Sequence, residues 1–447
     1  MYDVVVVGGG ISGTMAAVAA ARLGAKTLIV EQYGFLGGMM TASGVGPMMT
    51  FHAGEKQVIQ GIPGELIERL VAKGYSPGHI LDTTRYTYTV TPFDVEGMKR
   101  ELELMVTEAG GEILYHTMLA GVEPENGRVK YIQVCNKAGL SKLEAKVYID
   151  ATGDADLAYR AGVPCTKGRS SDGAAQPMTM KMRLFNVDIN KTKKYIHEHI
   201  EEFPRLKGDT SIIENSPRLS IGGFVKTFAE ARGSGEISFQ REDLLFFEGN
   251  TPGEIIVNTS RVTGHDSTEP LSLSHGEMEG RRQTEELFRF LKKRVPGFEN
   301  AWLAYTGPMI GVRSSRQIVG LYTLEADDVL TCKKFEDVIA HSGYPIDIHS
   351  PDGNDTLSRH LPWGAIYSIP YRCLINNFID NLITVGRCVS ATFKAQAAIR
   401  LTPSMGAVGQ AGGVGAAFAA KTGKSVKDFV ISDIQETLVK QGAYLEI

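Results

Sequence analysis

The chain has 447 residues, 43% hydrophobic and 22% charged, which is long enough for two or three domains and ordinary for a globular protein with a large core. A formal net charge of −4 without long like-charge blocks gives no electrostatic case for nucleic acid or an anionic membrane, leaving small molecules as expected partners. Five cysteines with no C-x-x-C pair argue against a disulfide framework, an iron–sulfur cluster, a metal site and a redox-active dithiol.

Met1 runs straight into an apolar segment, so a cytoplasmic setting without leader or membrane span is expected. Val4 to Val7 read as a strand buried on both faces of a parallel sheet. The turn that follows holds Gly8, Gly10, Ile11, Ser12 and Gly13. Gly8 suits a tight turn, Gly10 a close approach to a pyrophosphate, and Gly13 close helix–strand packing. A helix over about 11–23 would aim its open N–H groups at the phosphates. A second strand, Thr27–Val30, then leads to Glu31, placed to accept hydrogen bonds from ribose hydroxyls.

Gly37, Gly38 and Thr41 belong to a glycine-rich loop built to let something large pass. Helices are predicted over 64–73 and 93–109, and short strands over 112–116, 129–134 and 146–149, the three read as a meander. The last of them runs into a second glycine-and-acid turn with Ala151, Gly153 and Asp154. Texture changes near residue 164 and returns near 361, where a third apolar strand ends in Gly386 and Arg387. Thr402 as N-cap and Pro403 at the first helical position open a small-residue helix, leaving N–H groups near Met405, Gly406 and Ala407 free. An amphipathic surface helix is predicted over 425–438.

The fold class is therefore α/β: a Rossmann-like nucleotide-binding domain (1–163 with 361–447) carrying an inserted β-meander, and a second α+β substrate or cap domain (164–360). Three strand-to-glycine turns distinguish a flavin fold from a nicotinamide one. On these residues the chain resembles the FAD-dependent oxidoreductases of the glutathione-reductase-like superfamily, most closely the flavin domain of fumarate reductase and aspartate oxidase flavoproteins.

The resemblance implies FAD, held without a covalent bond, because His52 stands beyond the loop where relatives carry a tethering histidine motif. It implies that the small-residue helix points its N-terminus at the pyrimidine edge of the flavin. It also implies that Arg400 grips a substrate carboxylate, the alternative being a structural ion pair. Arg372, Tyr371 and His360 are further catalytic candidates, each with a plain structural alternative. Arg313 and Arg316 either line the flavin-facing floor of the second domain or pair on the surface. Tyr367 either donates to a substrate oxygen or fills the core, and Cys373 and Cys388 are small buried residues beside the cofactor.

The expected activity is hydride transfer between flavin N5 and a small polar organic substrate. The alternative is a flavoprotein electron-transfer subunit of a larger complex. A homo-oligomer or a redox partner protein is compatible with either.

Overall fold

The computed structural model describes residues 1–353 and 356–447. Its organising element is a five-stranded parallel sheet with β1 (Tyr2–Val7) in the middle, flanked by β2 (Thr27–Val30) and Ala145–Asp150, with Glu112–Leu114 and Leu382–Thr384 at the edges. Val4 to Val7 are at most 4% exposed, as a β-branched run covered on both faces requires.

Helix α1 (Ile11–Arg22) packs against the long helix Thr402–Thr422. A Cβ added at Gly409 or Gly413 would overlap the backbone of Ser12 or Ala16, so the missing side chains let the two backbones touch. This pair belongs to the larger of the apolar cores, with Met15, Val18, Val408 and Val414.

The meander differs from expectation. Glu112–Leu114 and Ala145–Asp150 pair in parallel with β2 and β1, because short apolar segments are held best inside the buried sheet. The antiparallel three-stranded sheet is instead Met118–Glu125, Arg128–Asn136 and Gly139–Leu143. Its first strand is largely exposed, so it carries no apolar alternation to read.

Helices Gly61–Ala72 and Val95–Glu108 stand close to the expected spans. The second is fixed by Asp94, whose side chain accepts the Gly97 N–H at 2.6 Å. The C-terminal helix is Ile431–Lys440, starting later than expected, with Ile434 and Leu438 buried.

A second core lies around an antiparallel sheet ordered Ser220–Gly223, Leu244–Glu248, Ile255–Val257, Met182–Phe185, Trp302–Thr306. Helix Pro270–Arg294 adds Leu287, Phe290 and Leu291 to it. The second core ends at Ala301, whereas Leu324, Val329, Ile339 and Ile346 pack in the first. Strand Val338–Ser342 pairs with Tyr367–Pro370, so the chain rejoins the first body before residue 361. Among the described residues, no helix is long and apolar enough to cross a membrane.

Candidate functional site

The turn after β1 is shaped by Gly8, whose φ of +105° and contact with the Ala151 carbonyl exclude a side chain. Gly10 caps α1 without a side-chain hydrogen bond, and no acid stands in the first turn, leaving the helix N-terminus open to an anion. The Gly37 N–H donates to the Gly9 carbonyl at 2.8 Å, bringing the glycine-rich loop over this turn. A Cβ on Gly38 would stand 2.8 Å from Gly10 Cα, whereas one on Gly10 would meet only Gly38 Cα at 3.9 Å.

Glu31 is 5% exposed and ties β2 to the turn: Oε2 accepts the Gly9 N–H at 2.6 Å and Oε1 the Tyr33 N–H at 2.9 Å. Burial raises its pKa while those backbone donors oppose the rise.

The second turn is locked through Asp154. It accepts from Arg387 Nη2 at 2.7 Å and from the Ser315 hydroxyl, while Arg316 donates to its carbonyl at 2.9 Å and pairs with Asp156 at 3.0 Å. Arg316 thus braces the turn, and Arg313 reaches the cavity.

One cavity of about 460 Å³ is lined by Gly8, Gly10, Ile11, Ser12, Glu31, Gly37, Gly38, Ala151, Gly153, Asp154, Gly386, Arg387 and Met405, with Arg400 also on its wall. The open helix N-terminus, the side-chain-free floor at Gly10 and the carboxylate ending β2 suit the pyrophosphate and ribose of FAD.

Four expected cofactor residues are absent from the wall. Gly13 packs on the Gly8 carbonyl and Ala151, and Thr41 donates to the Leu36 carbonyl at 2.7 Å. Gly406 faces Pro63 and Ile11, and Ala407 follows it inside the helix.

The helix start is also one residue earlier than expected. Leu401 is the N-cap, Pro403 is the second helical residue, and the Met405 N–H donates to the Leu401 carbonyl at 2.9 Å. The open donors of the first turn are therefore on Thr402 and Ser404, not on Met405, Gly406 and Ala407.

Around Arg400 the wall gathers residues from distant segments: Lys181, Asn258, Arg313, Tyr344, Asp347 and His349. Asp347 lies 3.6 Å from Arg400 Nη2, 3.5 Å from His349 Nε2 and 3.4 Å from the Tyr344 hydroxyl. Burial works against its charge, but His349, Arg400 and Tyr86 hold the carboxyl below its usual range. Burial, followed by the charge of Arg313, pushes His349 down to about 3, so its ring is neutral at pH 7. Burial and the charges of Arg313, Arg400 and Arg183 bring Lys181 down to about 7. Arg313 donates to the Pro177 carbonyl at 2.5 Å and to Thr179 Oγ1 at 2.7 Å.

The other catalytic candidates lie off this wall. Arg372 pairs with Asp337 at 2.9 Å and lies over the Tyr322 ring, which holds it off the cavity wall. The Tyr371 hydroxyl points at the Val426 carbonyl, 3.4 Å away, under the long helix. His360 is exposed, edge-on to Tyr86 at 5.1 Å. The Tyr367 hydroxyl donates to the Ala398 carbonyl, Cys373 and Cys388 are buried away from the cavity, and His52 bonds to Thr89.

Sequence reasoning missed Lys181, Tyr344, Asp347 and His349. A signal existed for Lys181: in 178–184, methionines and leucine alternate with Thr179, Lys181 and Arg183, and both faces are buried.

A profile of the family described as FAD dependent oxidoreductase matches residues 3–438. No curated protein sequence matches. Among solved structures, flavin-dependent brominase Bmp2 aligns with a TM-score of 0.50 at 12% identity, covering 98% of this chain and 83% of the other. A halogenase PltM variant in complex with FAD gives 0.49 at 12% identity, with 100% and 77% covered. A geranylgeranyl bacteriochlorophyll reductase-like protein from Thermoplasma acidophilum gives 0.46 at 15% identity, with 99% and 84% covered.

Proposed function

Because the chain belongs to the FAD-dependent oxidoreductase family, we propose that it transfers a hydride between flavin N5 and a small polar organic substrate held beside Arg400. The observation carrying this reading is the continuity of one cavity from the Gly10 and Glu31 turn to the Arg400, Asp347 and His349 cluster. Bound FAD supplies two-electron chemistry at its N5.

The chain's own residues would do the rest. Gly10, Ser12 and Gly38 would take the pyrophosphate, Glu31 the ribose, and Gly153, Asp154, Gly386 and Arg387 the middle of the cofactor. The Thr402 and Ser404 N–H groups would stabilise negative charge near the ring. Asp347 orients Arg400, whose fork is suited to a substrate oxygen or carboxylate, as kinship with the fumarate reductase and aspartate oxidase flavoproteins would imply. Non-covalent FAD, a cytoplasmic setting, and a homo-oligomer or redox partner belong to the same proposal.

The first test is the visible spectrum of the purified protein before and after acid precipitation. Yellow colour released into the supernatant is expected, followed by anaerobic bleaching with one of the substrate classes. A colourless protein that takes up no FAD would overturn the proposal.

A further inference from the structure

Among the described residues, two basic groups on the substrate end of the cavity make no ion pair with a carboxylate. Lys181 is 8% exposed, lines the cavity, and makes no hydrogen bond or ion pair among the described residues. Among the described residues the Arg313 guanidinium bonds to a carbonyl and a hydroxyl and makes no ion pair, although the charge of Asp347 reaches it. The carboxylates nearby are shared among their neighbours: Arg183 pairs with Glu254, Arg205 and Arg241 share Asp243, and Arg400 shares Asp347 with neutral His349. Tyr344, next to Asp347, keeps its proton because burial raises its pKa.

Buried charge without a counter-charge is costly, and a side chain that sheds its proton avoids the cost. The lowered pKa of Lys181 fits that escape, and Arg313 has no such route. Met49, Phe247 and Met309 border the same space, so a compact molecule with one apolar edge would fit beside the two nitrogen groups.

We propose that Lys181 and Arg313 form the binding site for the carboxylate of a small organic acid, and that Lys181 takes up a proton as the acid anion enters. This rests on the oxidoreductase reading above and names its substrate class. The proton comes from solvent and forms an N–H bond on Nζ, and no bond to carbon is made or broken. Arg313 supplies a planar fork for one carboxylate edge, and the new ammonium supplies a point charge for the other.

The test is calorimetric titration of the FAD-loaded, oxidised full chain with malonate, and separately with acetate, in two buffers of different ionisation enthalpy. Binding is expected with uptake of about one proton at pH ~8.5 and little at pH ~5.5. Lys181→Met should weaken binding at least ~10-fold and abolish the uptake, while Lys181→Arg should restore affinity without it. Flavin content and circular dichroism verify that each variant is folded.

No carboxylate binding to the FAD-loaded wild type, or unchanged proton uptake in Lys181→Met, would overturn the site. So would a silent titration in which Lys181→Met only lowers the flavin reduction potential, since the pair would then serve the flavin anion. Bleaching by neutral substrates with no carboxylate binding would remove this inference and leave the oxidoreductase reading standing. Carboxylate binding by a protein that holds no FAD would do the reverse.

Discussion

Lys181 shows how a single residue can be held in tension with its surroundings. In the unfolded chain its pKa is near 10.5, and in the folded protein about 7, so the unfolded state binds more protons between those values. Without ligand, stability should therefore rise with pH across that window, and the full penalty, roughly 5 kcal/mol by the size of the shift, applies below pH 7. Ligand-free Lys181→Met should melt higher than wild type near pH ~7, with the gain fading towards pH ~10. Paired thermal scans at the two pH values check the sign, and a gain independent of pH would contradict it.

Glu31 works in the opposite sense, since its carboxylate accepts two backbone N–H groups. In Glu31→Gln one of those donors faces an amide NH2 in place of an oxygen. The expected loss is about 1–3 kcal/mol, together with ~10-fold weaker FAD retention, read by denaturant melts and by flavin released on dilution.

At the scale of elements, the close approach of α1 and the long helix Thr402–Thr422 joins the two helix N-termini on the cavity wall. Gly409→Val should push the helices apart, costing at least about 1–3 kcal/mol and loosening FAD. Gly423→Asn, at the open left-handed end of the same helix, should leave both within about 1 kcal/mol of wild type. Urea titrations of the two variants separate backbone contact from a general cost of losing glycine.

Elements whose signals are local were legible in the sequence. The β1–α1–β2 unit with Glu31 is written in consecutive residues, and Gly8 and Gly13 make the tight turn and the close helix–strand packing expected of them. The meander was misread because Met118–Glu125 is exposed, so nothing in its apolar pattern marks it, while its flanks carry the apolar residues of the parallel sheet. The substrate end was mostly illegible. Lys181, Arg313, Asp347 and Arg400 share one cavity wall only because separate segments, one of them the strand Ile346–His349, converge there, and no spacing along the chain records that. His360 and Arg372 were attractive as residue types, yet one is exposed and the other is held by Asp337.

Among the described residues, apolar clusters cover both faces of the parallel sheet and a separate one surrounds the antiparallel sheet. Most of the wall expected to hold FAD is built on the parallel-sheet side, so removing FAD should lower the melting transition of that side more than that of the antiparallel-sheet core. Calorimetric scans with and without FAD should show two transitions drawing apart, and a single transition that moves as a unit would mean the cores unfold together.

The parallel sheet has a further consequence. Ile149 and Ile383 lie side by side in it, yet the whole second core is encoded between them. On a ribosome, the strands through Asp150 emerge long before their last neighbour exists, leaving that sheet edge open while the second core folds. The helix that completes the cavity is made later still. Cofactor loading should therefore wait for that helix: a chain stalled before Thr402 should fold much of its bulk without retaining flavin, so colour would report that the helix has been made.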